Sequence, residues 1–185
     1  MMDYEKFAEK VRHGTTTLAL ICNDGVAMGA DVRATYSTYI SSSEAIKIHK
    51  IDDNLGITIA GGVGDAEYLV KVLKMHNELY KMDEGKPMSP KNATSIMSLI
   101  MQENKIYPYY VELIIGGLNN GVPEIYNIDP VGGHIKESKF TSTGSGSIAA
   151  TGYIESVYTE DMSTQDNKDI FYFLALSMTL SKLHF

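Results

Sequence analysis

The pattern of apolar and polar residues predicts that the first third of the chain is rich in strands. Short apolar runs alternate with turn residues, and Asn23-Asp24-Gly25 is a strong hairpin signal. Because these runs come before any helical pattern, an alternating βαβ arrangement is not expected. The predicted strands cover 15–22, 26–31, 36–41, 46–51 and 55–60.

After Gly64 the apolar residues recur every three or four positions, which is the spacing of one face of a helix. A second helix is predicted to begin at Ser89-Pro90, where an N-cap serine precedes a proline at the first helical position. Pro108 is expected to end that helix. The face of the first helix is marked by Ala66, Leu69, Val70, Leu73 and Tyr80.

The rest of the chain repeats the order of strands followed by helices. A third helix is predicted to start within 143–147, and Ser163 with Asp166 resembles the capping box of a fourth. Strands, two helices, strands and two helices predict two sheets between outer helix layers. Further strands are predicted over 111–116 and 124–128 and after Gly132-Gly133, and a short amphipathic helix is predicted within 1–13.

Length and charge narrow the class of protein. The chain has 185 residues, which predicts one domain, and 16 basic against 23 acidic residues give a net charge of −7. Without a cluster of lysine and arginine, a nucleic-acid or anionic-membrane partner is not expected. No apolar stretch approaches the roughly 20 residues that span a bilayer, and the N-terminus has no secretory apolar region, so a cytoplasmic protein is expected.

Several kinds of functional site are disfavoured by the residues present. The glycines of Gly61-Gly62-Val63-Gly64 lie between a strand and a helix, but Glu67 stands where a dinucleotide fingerprint needs its third glycine. No phosphate-binding loop with Gly-Lys-Ser/Thr and no Gly-x-Ser-x-Gly elbow occurs. The five histidines lack metal-ligand spacing, so no metal and no cofactor are expected. The single cysteine, Cys22, is interpreted as a small buried apolar residue.

The run Gly14-Thr15-Thr16-Thr17 is the remaining candidate for chemistry. Three threonines that open a strand are by themselves only good β formers. If the Gly14–Thr15 bond were cut, however, Thr15 would carry a hydroxyl nucleophile and a free α-amine. Such an amine titrates near pH 7.7–8.0 and can act as a base at about neutral pH.

Six sequence blocks are distinctive in their order and spacing from Thr15 to about Ser163, although no single block is specific. The blocks are Gly14-Thr15-Thr16-Thr17, Gly29-Ala30-Asp31-Val32-Arg33-Ala34-Thr35, Lys47-Ile48-His49-Lys50-Ile51-Asp52-Asp53, Ala60-Gly61-Gly62-Val63-Gly64-Asp65-Ala66, Tyr126-Asn127-Ile128-Asp129-Pro130 and Gly144-Ser145-Gly146-Ser147. Together they resemble the β-type subunits of the 20S proteasome, most closely the archaeal kind.

The resemblance implies an α+β fold, a four-layer αββα sandwich of the N-terminal-nucleophile hydrolase type. It also implies that residues 1–14 are a propeptide removed by autolysis and that 15–185 form one peptidase domain. The implied partners are other β subunits in a heptameric ring, the proteasome α-ring, a regulatory ATPase acting through that ring, and unfolded polypeptide substrate.

The resemblance also implies roles for individual residues. Thr15 would be the nucleophile, Lys47 would lower the pKa of its hydroxyl and move its proton, and Asp31 would hold Lys47. The N–H of Gly61 would stabilise the oxyanion, and Ser145 would lie near the α-amine. Arg33 is expected to be structural, and the plain alternative for Asp31 and Lys47 is an ion pair between strands. The implied substrate contacts are Thr35, which would pair with the substrate backbone, and a first pocket formed by Ala34, Ala45, His49, Ile59, Val63 and Glu67.

One departure from the family pattern concerns the C-terminus. The family continues past its fourth helix with an Asp-Ser-x-Ser-Gly segment and further strands, which are not found in this sequence. We therefore expect the last strands to be lacking, one sheet edge to be open, and an apolar final helix that includes Ile170, Phe173 and Leu180.

Three alternative functions remain open from the sequence. One is a catalytically silent β-type structural ring subunit that does not mature because its C-terminal segment is missing. A second is the bacterial two-tiered relative of the proteasome, which the Asp31-x-Arg33 pair and the lead segment fit poorly. A nucleotide-binding module is the third and is disfavoured by Glu67.

Overall fold

Two antiparallel sheets form the centre of this computed structural model. It describes residues 15–32, 34–36, 39–42, 45–165 and 180–184, with the backbone alone given for 34–36, 39–42 and 180–184. The strands are β1 (Thr17–Cys22), β2 (Gly25–Asp31), β3 (Ala34–Tyr36), β4 (Tyr39–Ser42), β5 (Ile48–Asp52), β6 (Leu55–Gly61), β7 (Val111–Asn119), β8 (Val122–Ile128), β9 (His134–Glu137), β10 (Phe140–Thr143) and β11 (Leu180–His184). The helices are α1 (Val63–Glu84), α2 (Pro90–Glu103) and α3 (Ser147–Val157).

The first sheet has the strand order β10-β1-β2-β11, and both of its faces are covered. Successive side chains of a strand point to opposite faces. Leu18, Leu20 and Cys22 therefore pack against α3, while Ala19 faces the second sheet. Cys22 is a buried apolar residue here, as predicted.

The second sheet has the order β5-β6-β7-β8-β9 and carries α1 and α2 on its outer face. Helix α2 begins as predicted, because the Ser89 side chain accepts a hydrogen bond from the Asn92 N–H at 3.2 Å. Leu73 of α1 and Met97 of α2 are fully buried against this sheet.

A third cluster of apolar side chains lies between the two sheets. Val26 and Met28 of the first sheet meet Ile114 and Ile125 of the second. The layers are therefore α3, the first sheet, the second sheet, and α1 with α2, which confirms the predicted αββα sandwich.

Some predicted boundaries are wrong in detail. The single strand predicted over 36–41 is a hairpin of β3 and β4. Helix α2 ends at Glu103, before Pro108, with Asn104 as its C-cap. One strand was expected after Gly133, but β9 and β10 both form there and join different sheets.

The end of the described chain differs from the predicted final helix that includes Leu180. Strand β11 pairs antiparallel with β2, from Leu180 opposite Asp31 to His184 opposite Ala27. Leu180 is therefore in a strand and not in a helix. The unpaired N–H and C=O groups of a sheet edge accept an extended segment, and the residues 180–184 supply one.

Two predicted helices fall outside the described residues: the one within 1–13 and most of the one expected from Ser163 and Asp166 onward. Among the helices that the structure describes, none is both long enough and apolar enough to cross a membrane.

Candidate active site

Thr15 lies two residues before the start of β1, next to the lysine that precedes β5 of the second sheet. It is 3% exposed. The Nζ of Lys47 donates a hydrogen bond to the Thr15 Oγ1 at 3.0 Å. A buried hydroxyl thus has an amine within reach of its proton.

The Lys47 amine also binds the carboxylate of Asp31. Its Nζ lies 3.0 Å from each oxygen of Asp31, which ends β2. The Thr16 N–H donates to the Asp31 Oδ1 at 2.7 Å. Lys47 directly precedes β5, so this ion pair joins the first sheet to the second.

The surroundings of Lys47 lower the proton affinity of its amine. Burial lowers the pKa of Lys47 below its ordinary value, because desolvation disfavours the charged amine. The hydrogen bond and the negative charge of Asp31 act in the opposite direction and do not cancel this effect. Lys47 therefore gives up its proton more readily than an exposed lysine.

Ser145 contacts the main chain of Thr15 from the turn between β10 and α3. The Thr15 N–H donates to the Ser145 Oγ at 3.3 Å, and the Ser145 hydroxyl donates to the Thr15 carbonyl at 3.4 Å. The Gly146 N–H donates to the same carbonyl at 3.3 Å. The nitrogen of Thr15 thus lies beside the Ser145 hydroxyl.

Gly144 lets this turn approach Thr15. Its φ is +86°, and an added Cβ would collide with the carbonyl oxygen of Thr15. We expect Gly144→Ala to lower the free energy of unfolding by about 1–3 kcal/mol, because a non-glycine residue at such a φ is strained. Urea denaturation of the purified protein measures this loss.

Gly152→Ala is the matched control for that substitution. Gly152 lies within α3, where an added Cβ meets nothing within 4 Å. Alanine is favoured over glycine inside a helix by roughly 0.5–1 kcal/mol, so this variant should be more stable than the wild type. Equal stability of Gly144→Ala and the wild type would contradict the steric argument.

Gly61 ends β6 and has a φ of +131°. An added Cβ would collide with the carbonyl oxygen of Tyr110, which accepts a hydrogen bond from the Gly62 N–H at 2.8 Å. The packing of the protein itself therefore favours glycine at position 61, in addition to any close approach of a substrate. Ala60, the preceding residue, borders the Gly144 turn.

The residues proposed for the first pocket come from β3, the segment before β5, β5, β6 and the start of α1. Ile59 is buried, whereas Val63 is 54% exposed. The Glu67 side chain is 61% exposed and lies 3.5 Å from the Lys71 amine. Burial and the charge of Lys74 lower the pKa of His49, so its ring is neutral at pH 7. Ala45 is half-buried, and only the backbone is described for Ala34 and Thr35 of β3.

Two predicted residues lie outside the described part of the chain: Gly14 and Arg33. One contact was missed in the sequence. The Glu112 carboxylate accepts a hydrogen bond from the Gly144 N–H at 3.0 Å and so supports the turn that holds Thr15. The only signal in the sequence is an acidic residue directly before the apolar run Leu113-Ile114-Ile115 of strand β7.

Comparison with known proteins identifies the family of this chain. A family model described as "Proteasome subunit" matches residues 11–179. The proteasome subunit beta of Methanosarcina mazei is 40% identical over 169 residues, which cover 91% of this chain and 79% of that protein. That of Methanosarcina thermophila has the same identity and coverage. The proteasome subunit beta of Methanococcus vannielii is 42% identical over 167 residues, which cover 89% and 76%. These matches confirm the resemblance found in the sequence, and the chain belongs to the proteasome subunit family.

Proposed function

We propose that this chain is a threonine endopeptidase subunit of a proteasome core, made as a precursor and activated by cleavage of its own Gly14–Thr15 bond. The observation that carries the proposal is the 3.0 Å contact between the Lys47 Nζ and the Thr15 Oγ1 beside the carboxylate of Asp31. An unactivated threonine hydroxyl is a weak nucleophile, and a neighbouring base is what it needs.

Activation begins at the peptide bond before Thr15. Lys47 takes the hydroxyl proton as the Thr15 Oγ1 attacks the Gly14 carbonyl carbon. The C–N bond then breaks, its nitrogen gains a proton, and Gly14 is joined to Thr15 through an ester. Water hydrolyses the ester, which releases residues 1–14 with a free carboxylate and leaves Thr15 with a free α-amine.

Hydrolysis of a substrate peptide uses the same groups. The Thr15 Oγ1 attacks the scissile carbonyl, and the Gly61 N–H stabilises the negative oxygen that develops there. Such a donor is typically worth about 3–4 kcal/mol of the barrier. Ser145 holds the α-amine, and Thr35 pairs with the substrate backbone as an added strand does. Lys47 takes the hydroxyl proton and passes it to the nitrogen of the scissile bond, the C–N bond breaks, and the amine half of the substrate leaves. Water then hydrolyses the acyl ester on Thr15, which releases the other half with a free carboxylate.

The proposed assembly follows the family. The chain would form a heptameric ring with other β subunits, next to an α-ring through which a regulatory ATPase delivers unfolded polypeptide in the cytoplasm. The names of the relatives, each a proteasome subunit beta, support this proposal.

N-terminal sequencing of the protein, purified in its assembled form, tests the proposed function. We expect Thr15 to be the first residue of the mature chain and peptide hydrolysis to appear together with processing. A fully assembled particle that keeps residues 1–14 and hydrolyses no peptide would contradict the enzyme and support the silent ring subunit instead.

The first pocket is proposed to accept large apolar side chains. Val63, which is 54% exposed, and the ring of His49, whose neutral form is favoured by its lowered pKa, present apolar or uncharged surface. The charge of Glu67 is partly balanced by Lys71 at 3.5 Å, and both are exposed to solvent that screens them. Glu67 is therefore a weak attractant for a basic side chain.

A panel of fluorogenic peptides tests this specificity. We expect faster cleavage after leucine or tyrosine than after arginine. Glu67→Gln should reduce the residual cleavage after arginine by less than about tenfold, since an exposed charge pair is worth about 1 kcal/mol or less. Cleavage after leucine should be unchanged.

Glu78→Gln is the control for the loss of an exposed acidic charge from the same helix. Glu78 pairs with Lys81 at 3.3 Å further along α1, and its side chain is similarly exposed. This variant should leave both rates unchanged. A preference for arginine over leucine in the wild type would contradict the apolar pocket.

A further inference from the structure

Three buried hydroxyl groups form a chain between the two sheets, close to Thr15. The Thr58 hydroxyl donates to the Thr17 Oγ1 at 3.0 Å, and the Thr17 and Thr143 Oγ1 atoms lie 2.7 Å apart. All three residues are at most 3% exposed. Because each hydroxyl has one proton, the donation from Thr58 leaves Thr17 free to donate to Thr143.

Each of these threonines is next to a residue of the candidate active site. Thr17 lies two residues after Thr15 and is paired with Ala30, the neighbour of Asp31. Thr143 directly precedes the turn that contains Ser145.

Thr58 connects the chain to the lysine. It is paired with Ile48, and the next residue, Ile59, donates its N–H to the carbonyl of Lys47 at 3.0 Å. Thr17 and Thr143 belong to the first sheet and Thr58 to the second. The hydroxyl chain therefore connects the strand paired beside Lys47 to the strand that follows Thr15 and to the strand that precedes Ser145.

We propose that this hydroxyl chain positions Lys47 relative to Thr15, which makes Thr58, Thr17 and Thr143 positioning residues of the proposed peptidase. The nucleophile and its lysine lie on different sheets, so their 3.0 Å contact depends on how the sheets are placed against each other. A misplacement of about 1 Å in such a contact lowers the rate about a hundredfold. This proposal rests on the proposed function.

Thr58→Val tests the proposal, because valine keeps the shape of threonine and removes its hydroxyl. We expect processing and kcat to fall at least about tenfold, with KM within about twofold, since substrate contacts are retained. Thr58→Ser restores the hydroxyl and should recover most of the rate. Thr143→Val, on the edge strand β10, is a second variant should Thr58→Val fail to fold.

Thr94→Val is the matched control. Thr94 is 1% exposed in α2, and its Oγ1 has no hydrogen-bond partner among the described residues. The same loss of a buried hydroxyl should leave processing, kcat and KM unchanged there.

Crystal structures of the variants give a readout that does not depend on activity. The distance from the Lys47 Nζ to the Thr15 Oγ1 should exceed 3.5 Å in Thr58→Val and stay near 3.0 Å in Thr94→Val. An unchanged distance and rate in Thr58→Val would overturn the proposal, as would a loss that Thr58→Ser does not recover. If the wild type neither matures nor hydrolyses peptides, the proposed function fails, while these distances still decide whether the hydroxyls position Lys47.

Discussion

Thr15→Ala is expected to abolish both the removal of residues 1–14 and peptide hydrolysis. Alanine has no hydroxyl, so neither the Gly14 carbonyl nor a substrate carbonyl can be attacked. The loss of a nucleophile of this kind lowers kcat by at least about a thousandfold. Mass spectrometry of the purified chain measures processing, and a fluorogenic peptide assay measures turnover.

Thr15→Ser separates the chemistry from the packing at this position. Serine retains the hydroxyl that accepts the hydrogen bond from Lys47 but loses the methyl group of a residue that is almost fully buried. We expect partial processing and partial activity. A Thr15→Ala variant that is unprocessed and yet fully active would contradict the mechanism.

The core strands and helices could be predicted from short apolar runs and from apolar residues at helical spacing. Strand β1 is a continuous apolar run, and the structure buries it on both faces, with Leu18 and Leu20 on one side and Ala19 on the other. The start of α2 could also be predicted from neighbouring residues, because the Ser89 cap needs only the N–H of Asn92.

The boundaries that depend on distant parts of the chain could not be predicted in this way. Strand β11 forms because β2 offers it an edge, and nothing in the local pattern of 180–184 indicates that partner. The division of the β9–β10 region between two sheets likewise depends on which strands lie beside it.

The candidate site was predicted through the resemblance and not from residue spacing. Thr15, Asp31 and Lys47 are far apart in the sequence, and only the fold brings the Lys47 amine to 3.0 Å from the side chains of the other two. The carboxylate of Glu112 and the hydroxyl of Thr58 were missed because their contacts cross from one sheet to the other. Such contacts depend on how the sheets pack together.

Lys47→Arg is expected to lower processing and turnover by about 10²–10⁴-fold, the usual contribution of a general acid–base group. Arginine keeps the positive charge beside Asp31, so the buried carboxylate retains a partner. Its guanidinium, however, stays protonated and is bulkier than an amine. Lys47→Ala should be at least as damaging, because it also leaves Asp31 without the amine that now lies 3.0 Å away.

Lys50→Arg provides the control for this substitution. Lys50 lies on the adjoining strand β5, with its side chain 53% exposed and 2.6 Å from Asp53. It should process and hydrolyse peptides at the wild-type rate. Native mass measurement of each variant checks that assembly is unchanged, and normal activity of Lys47→Arg would show that proton transfer by Lys47 is not required.

The pH dependence of processing tests the same role in the wild type. Before cleavage the Thr15 nitrogen is an amide, so it does not titrate, and the profile can report on Lys47. Because only the neutral amine accepts a proton, processing should speed up as the pH rises towards the pKa of Lys47. Burial lowers that pKa below the ordinary value for lysine, and Asp31 acts against the shift.

Asp31→Asn should therefore move the rising limb of the profile to lower pH, because it removes a group that raises the pKa of Lys47. Asparagine keeps a side-chain oxygen that can accept the Thr16 N–H, so the local backbone contact can persist. Timed mass spectrometry of the precursor at a series of pH values measures both profiles. A wild-type rate that falls as the pH rises would show that the positive charge of Lys47, and not its ability to accept a proton, activates Thr15.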